Sequence, residues 1–596
     1  MKYPNVYSLF AAQVERYRDR NAFYVRRGGG WAGITWESFG RESHEFACAL
    51  AAQGLGTGGS VCILMGNVPE WPVADLGTII AGGVSVGLYP TSSAEQCQYI
   101  INHSDAEVVL VDTAFQLDKV MRVREGLPKV KAVVALDEEG ARSRGDIVSY
   151  REFLESGREH RERFESDLVR RAREASAHET VIMVYTSGTT GLPKGACLSH
   201  RYVLGSVESL QETVPLDDAD VAFSYLPYCH VAERISGLYT RMYAGAITYF
   251  VDDPAKLWDY MAEVRPSVFG SLPRFFEKVH ARVVADLEQA APEEQRRFAE
   301  VLSLGREISR LRQAGEDVAD ELREKYEQDC GPVVGRVKRY FGGRVRLATS
   351  GGAPLPFEIA EFFDALGLPI LQAYGLTENV CVAFNRPDNY RFGTVGPPMP
   401  GCCVKIAGDG EILVRSEMVF SGYYKEPEKT AEIFDGDGWL LTGDLGEIDR
   451  DGFLKITGRK KELIVTSTGK NIAPALIENM LKEHHLISHA LVYGEGKSYL
   501  VALLTLNAAE TQGYARAHRI DYEDFADLVR KEEIVSLVRR IVEGINARVS
   551  TTEAVKRFAI LGHDLSVEAD EITPTMKIKR KIVTERYIDA LEELYK

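Results

Sequence analysis

Val61-Cys62-Ile63-Leu64-Met65 opens the stretch whose alternation sets the fold class. An unbroken apolar run without charge on either face reads as a strand covered on both sides. Glu70 to Ile80 then reads as a helix, Val84 to Leu88 as a strand and Ala94 to Asn102 as a helix. Val108 to Val111, Phe115 to Glu125 and Val130 to Leu136 repeat strand, helix and strand. This β-α-β-α order predicts a parallel sheet covered by helices. Gly54-Leu55-Gly56-Thr57-Gly58-Gly59 fits the spacing of a dinucleotide loop but follows a helix and precedes a strand. That order is the reverse of what dinucleotide binding needs, so the glycines read as a helix stop.

Outward from this core, Arg151 to Ala175 and Pro292 to Glu327 are rich in Glu and Arg and read as solvated helices. Between Val395 and Ile456 the pattern turns to short β-like runs, Val404 to Ile406, Glu411 to Val414, Gly446 to Asp449 and Phe453 to Ile456. Arg450-Asp451-Gly452 supplies a hairpin turn between the last two. From Gly458 the chain is mixed α and β and long enough for a further domain. The expected fold class is α/β: a large N-terminal domain of parallel-sheet α/β subdomains with a small β-subdomain at about 395–457, then a smaller mobile α+β C-terminal domain. The expected bounds are 1–458 and 459–596.

With 596 residues the chain exceeds what one core accommodates. Its net charge of −16 argues against a nucleic-acid partner. Nine cysteines without C-x-x-C spacing favour neither a disulfide framework nor a zinc site. The adjacent Cys402 and Cys403 read as strand residues, and a reducing cytoplasm is expected. Residues 1–7 carry no apolar signal core, and the longest apolar stretch, Ile235 to Val251, is interrupted by Arg241. A protein without a transmembrane segment is expected, with peripheral contact at the inner membrane face and oligomerisation left open.

Function is concentrated in Tyr185-Thr186-Ser187-Gly188-Thr189-Thr190-Gly191-Leu192-Pro193-Lys194-Gly195, which follows the apolar run Val181 to Val184. Glycines let backbone approach an anion, hydroxyls donate, and the lysine adds charge, so the loop suits a polyphosphate. It lacks the Gly-Lys-Ser/Thr order of a Walker loop.

In its order Thr-Ser-Gly-Thr-Thr-Gly-x-Pro-Lys-Gly this loop resembles the phosphate signature of adenylate-forming enzymes, a superfamily that includes the acyl-CoA synthetases. Further segments extend the resemblance over nearly the whole chain. Leu371-Gln372-Ala373-Tyr374-Gly375-Leu376-Thr377-Glu378 resembles the second nucleotide motif, and Ser350-Gly351-Gly352-Ala353-Pro354-Leu355 the loop lining adenine and acyl groups. Trp439 to Asp444 and Gly458-Arg459-Lys460-Lys461-Glu462 resemble the ribose motif and the interdomain junction.

The resemblance implies ATP contacts from Thr186, Ser187, Gly188, Thr189, Thr190, Gly191, Lys194, Gly352, Ala353, Gln372, Tyr374, Gly375, Thr377, Asp444 and Arg459. It implies Mg²⁺ on Glu378 and Thr186, a hinge at Lys461, and Lys577 as the lysine that swings in for adenylation, with Glu378 and Thr186 completing the catalytic set.

Thr573-Pro574-Thr575-Met576-Lys577 looks like the long-chain branch, as does Leu226 to Arg234 with His230 where amino-acid-activating domains place an aspartate. An ammonium unpaired in an apolar tunnel would be disfavoured. The segment from about His280 to Val345 resembles the long-chain insertion, and His230 and Gly270 are the expected acyl-pocket residues. A lone histidine is more often structural; within this motif a pocket role is preferred. The implied substrates are a long-chain fatty acid, ATP with Mg²⁺, and coenzyme A. A fatty acyl-AMP ligase loading a carrier protein should carry an insertion after the hinge, and none is evident after Lys461. A non-catalytic lipid-binding module on the same fold is disfavoured by intact Glu378, Asp444, Arg459 and Lys577.

Overall fold

In the computed structural model the residues described are 1–139, 147–186, 192–467, 470–567, 569–573 and 577–596. The alternating stretch forms a seven-stranded sheet in the order Ile147–Ser149, Ala132–Ala135, Ala106–Val111, Ser60–Leu64, Val84–Gly87, Thr180–Thr186, Lys194–Ser199. All pairings are parallel except the last, where Thr180–Thr186 turns back on Lys194–Ser199. Val61, Cys62, Ile63 and Leu64 lose all solvent contact because helices cover both faces. The Gly54 segment ends the helix Trp36–Ala52, with Gly54 at φ +75 and Leu55 N–H bonded to Leu50 O at 3.0 Å. The segment lies between this helix and the strand Ser60–Leu64, the order read from the sequence.

A second sheet runs Val221–Ser224, Ile247–Phe250, Asn21–Arg27, Gly30–Thr35, and a third runs Val268–Ser271, Leu347–Ser350, Ile370–Leu376, Asn379–Phe384. The β-rich region is an antiparallel meander of Cys402–Ile406, Glu411–Ser416, Leu440–Ile448 and Leu454–Arg459. Cys402 is buried there and Cys403 exposed, and the nine cysteines are all free thiols. Gly452 turns the hairpin at φ +87.

Two expectations need correction. Helices Tyr150–Glu159 and Arg161–Glu174 are not merely solvated: Phe153, Leu154, Leu168 and Ala172 are buried. Gly157 sits so close to Glu45 O that a Cβ would come within 1.8 Å. Helices Pro292–Ala314 and Asp320–Arg339 likewise bury Phe298, Val301, Ile308, Val333 and Val337. Long charged side chains on one face masked an apolar stripe on the other. No helix among the described residues is long and apolar enough to cross a membrane. The apolar stretch that Arg241 interrupts is an interior segment, beginning in the π-helical turns Ala232–Tyr239, and Arg241 pairs with the buried Glu233 at 2.6 Å.

The C-terminal domain is built on the sheet Ile487–Tyr493, Leu500–Leu506, Val555–Ile560. Alternation along Leu500–Leu506 divides its two faces. Leu500, Ala502, Leu504 and Leu506 pack with Ile534, Val538 and Val542 of the helix Glu532–Asn546. Val501 and Leu503 pack with Leu565, Ile572, Val583 and Leu591 of the final segment. That second face fixes the base from which Lys577 projects.

His200, 2% exposed, accepts the Val6 N–H on Nδ1 at 3.2 Å and so must be neutral at that atom. Burial lowers its pKa to about 4 from 6.5. The unfolded chain therefore takes up its proton first as pH falls, and stability is lost between about 6.5 and 4, on the order of 3 kcal/mol in all. Thermal melts of His200→Asn, which keeps an acceptor for Val6, should show a flatter decline over that interval than the parent protein.

Candidate active site

The antiparallel register places Asp444 opposite Arg459. Arg459 Nε donates to Asp444 Oδ1 at 2.9 Å, and Tyr374 OH donates to Oδ2 at 2.6 Å. Asp444 is 5% exposed, so the bonds replace water that its carboxylate has lost. Burial, and then the Asp444 charge, push the Tyr374 pKa well up and keep its hydroxyl a donor. Gly375 is required beside it: a Cβ would stand 2.0 Å from Val380 O, where the strand pairing bulges between Tyr374 and Leu376. Gln372 Oε1 accepts the Leu355 N–H at 3.0 Å and ties down the loop of exposed Gly352 and Ala353, with Gly352 at φ +79.

On the other side, Thr186 ends its strand directly across from Lys194. The expected phosphate contacts Ser187, Gly188, Thr189, Thr190 and Gly191 lie outside the described residues, as do Pro574, Thr575 and Met576. Lys194 Nζ lies 4.6 Å above the ring of Tyr423, whose hydroxyl donates to Glu378 Oε1. Burial, then Glu378, raise the Tyr423 pKa and hold it in the donor form. Thr377 O accepts from Tyr202 OH at 2.9 Å, and Glu378 O accepts from Phe420 N–H at 2.8 Å. Phe420 to Tyr424 thus runs beside Lys194–Ser199, with Tyr424 N–H bonded to Gly195 O at 2.8 Å. Tyr423 was missed from sequence because its partners lie far away in the chain; the Gly422-Tyr423-Tyr424 cluster is the one local signal. Among the described residues no three His, Cys, Asp or Glu side chains converge as a metal cage. Single oxygens from Glu378 and Thr186 suit a hard cation that keeps water and phosphate ligands of its own.

Lys577 comes from the C-terminal domain into the same cleft, near Arg459, Asp444, Glu462 and His230. It stays open to solvent at the mouth, yet the surrounding walls strip enough water to lower its pKa, and Arg459 adds to this against Asp444 and Glu462. Its backbone is pinned by N–H to Thr573 Oγ1 at 3.0 Å and by O to Thr573 N–H at 2.7 Å.

His230 caps the turn that begins the π-helical segment, with Nδ1 accepting from Ala232 N–H at 3.2 Å. Burial and then Lys577 lower its pKa to about 4, so the ring is neutral and its proton resides on Nε2. Beneath it, Arg234 pairs with Asp75 and lies 4.8 Å from the Trp71 ring, which itself stacks on Tyr228 at 4.9 Å. Gly270 is exposed in the strand Val268–Ser271; its carbonyl accepts from Tyr225 OH at 2.9 Å, and Tyr225 stacks on Phe269 at 5.6 Å. At the junction Lys461 is exposed, while Lys460 is anchored to Asp409 at 2.6 Å and Glu411 at 2.7 Å. These two bonds raise the Lys460 pKa to about 12.

The family model for AMP-binding enzymes matches residues 10–424, and that for the AMP-binding enzyme C-terminal domain matches residues 461–596. The long-chain-fatty-acid–CoA ligase FadD15 of Mycobacterium bovis is 32% identical over 95% of this chain and 93% of its own. The long-chain-fatty-acid–CoA ligase ACSBG2 of Xenopus laevis is 31% identical over 99% of this chain and 83% of its own. The adenylation domain of a carboxylate reductase from Mycobacterium chelonae superposes with a TM-score of 0.75 at 23% identity, covering 99% of this chain and 91% of that one, a shared fold. Two matched domains, full-length relatives and the Asp444–Arg459–Lys577 cleft together place this chain in the AMP-binding family of adenylate-forming acyl-CoA synthetases.

Proposed function

We propose that the protein is an AMP-forming long-chain fatty acid–CoA ligase. A carboxylate oxygen of the fatty acid attacks the α-phosphorus of MgATP, the bond to the bridging oxygen breaks, and pyrophosphate leaves. The coenzyme A sulfur then attacks the acyl carbon, the bond to AMP breaks, and the thiol proton passes to solvent. The observation that carries this reading is the position of Lys577, a C-terminal residue facing Asp444, Arg459 and His230 of the nucleotide cleft.

Asp444 accepts from the ribose hydroxyls in a position already shaped by Tyr374 and Arg459. Tyr374 lies against adenine, with the Gly352–Ala353 loop opposite. Thr186, Thr377 and Lys194 would hold phosphate oxygens, and Glu378 with Thr186 would hold a Mg²⁺ entering with ATP, which would neutralise phosphate charge. Neutral His230 offers an Nε2 proton as a hydrogen-bond donor and carries no positive charge at working pH. Gly270, exposed and lacking a side chain, would border the acyl chain beside Tyr225. The units 1–458 and 459–596 exchange orientation between the half-reactions about Lys461, which is exposed next to the anchored Lys460.

Palmitate-dependent pyrophosphate release, measured with and without coenzyme A, tests this. Palmitoyl-CoA and AMP in equal amounts are expected; acyl-AMP accumulating unchanged with coenzyme A present would overturn it in favour of a carrier-protein ligase. Competition among short to very long acids then sets the preferred chain length.

Tyr423→Phe keeps the ring beneath Lys194 and removes only the bond that orients Glu378. A charge-assisted hydrogen bond contributes roughly 1.5 kcal/mol or more. Steady-state kinetics should show KM for MgATP raised about tenfold with KM for the fatty acid unchanged.

A further inference from the structure

Arg274 stands at the start of the helix Pro273–Glu288, directly after the strand that contains Gly270. Its guanidinium crosses to the C-terminal domain, with Nη1 donating to Ser488 O at 2.9 Å and Nη2 to Ser488 Oγ at 3.0 Å. Ser488 is 1% exposed, so both acceptors are shielded from water except where Arg274 meets them. Ser488 Oγ in turn donates to Asp564 Oδ2. The other oxygen of Asp564 takes His489 Nδ1 at 2.8 Å, Thr505 Oγ1 at 2.5 Å and Leu565 N–H at 2.9 Å. Burial alone would raise the Asp564 pKa, yet His489, Ser488 and Thr505 hold it below the usual carboxylate range, so it remains a fixed acceptor.

Asp564 begins the final segment that packs on the sheet and carries Lys577. Hydrogen bonds therefore run from Arg274, which follows the strand beside the expected acyl pocket, through Ser488 to Asp564, where the segment that carries Lys577 begins. Nearby cross-domain contacts are also polar: Arg548 reaches Glu358 at 3.8 Å, and Lys482 feels the charge of Glu277. A polar seam of this kind can be made and broken in each turnover, whereas a large apolar interface would hold the domains together.

We infer that Arg274 is a positioning residue, a latch whose grip on Ser488 holds the C-terminal domain where Lys577 enters the nucleotide cleft. This rests on the domain exchange proposed above. The latch acts on one half-reaction only, because the second requires the domain to turn away.

The test compares Arg274→Ala, Arg274→Lys and Ser488→Ala in full-length enzyme, alone and combined with Lys577→Ala. Acyl-AMP formation from acid and ATP is timed separately from thioester formation from preformed acyl-AMP. Arg274→Ala should slow adenylation about tenfold, the equivalent of one charge-assisted hydrogen bond. Thioester formation should stay within about twofold of the parent protein, a range set by losses under half a kcal/mol. Arg274→Lys should recover part of the rate, and Ser488→Ala, which keeps the carbonyl acceptor, should lose less. In the Lys577→Ala background Arg274→Ala should change residual adenylation no further. Equal loss in both half-reactions, or an undiminished effect without Lys577, would overturn the latch. If Lys577→Ala itself slows both halves alike, the domain-exchange reading fails instead, whatever Arg274 does.

Discussion

Lys577→Ala is expected to slow acyl-adenylate formation by about 100- to 1,000-fold, the loss typical of one preorganised charge or donor at a reacting centre. Thioester formation from preformed acyl-AMP should remain within about twofold of the parent protein, because the proposed domain exchange withdraws the lysine in that step. The geometry supports the asymmetry. Lys577 faces Asp444 and Arg459 from a different domain, so its place beside them depends on how that domain is oriented. Its pKa is lowered from the ordinary lysine value of 10.5, first by burial and then by Arg459. The ammonium form should therefore be lost at lower pH than for a free lysine. A plot of kcat/KM for ATP in the adenylation step should fall on an alkaline limb with a midpoint below 10.5, and Lys577→Ala should lack that limb. Stopped-flow measurement of the two half-reactions decides the matter; equal slowing of both would refute the separation of roles.

Asp75→Ala should destabilise the N-terminal domain by about 3 to 5 kcal/mol, the penalty for leaving a buried charge without its partner. Arg234 and Asp75 are both 0% exposed. Arg234 Nη2 donates to Asp75 Oδ1 and to Ser85 Oγ at 2.6 Å, while Tyr239 OH donates to Asp75 Oδ2 at 2.8 Å. Arg234 Nε and Nη1 have no hydrogen-bond partner among the described residues, and the Trp71 face 4.8 Å away is what compensates them. Truncation of Asp75 removes the main anchor of the guanidinium and strands the Tyr239 hydroxyl. The double substitution Asp75→Leu with Arg234→Met should recover most of the stability, since no charge is then left buried. Urea unfolding of the single and double variants measures both effects. Additive losses in the double variant would show that the pair is not coupled.

Much of the fold was legible because it is written in local pattern. The runs at Val61, Val84, Val108 and Val130 became neighbouring parallel strands, with the first lying between the second and the third, and the hairpin at Gly452 formed where its turn residues stand. Asp444 and Arg459 were singled out separately, and the antiparallel register then set them side by side. The charged helices were misjudged as solvated because their buried faces are narrow and composed of few residues. For His230, type and motif suggested a pocket group, while its neutrality follows from burial and from the nearness of Lys577, 347 positions further along.

By itself the sequence determined the elements, their order and the chemical types at the cleft, because strand, helix and turn preferences act over a few residues. Only the tertiary structure decided which of those groups meet. Tyr423 with Glu378 is a pair separated by 45 positions, and Arg274 with Ser488 by 214. Such contacts arise from the packing of whole sheets and domains, where burial makes each unpartnered charge costly and so selects the arrangement that pairs them.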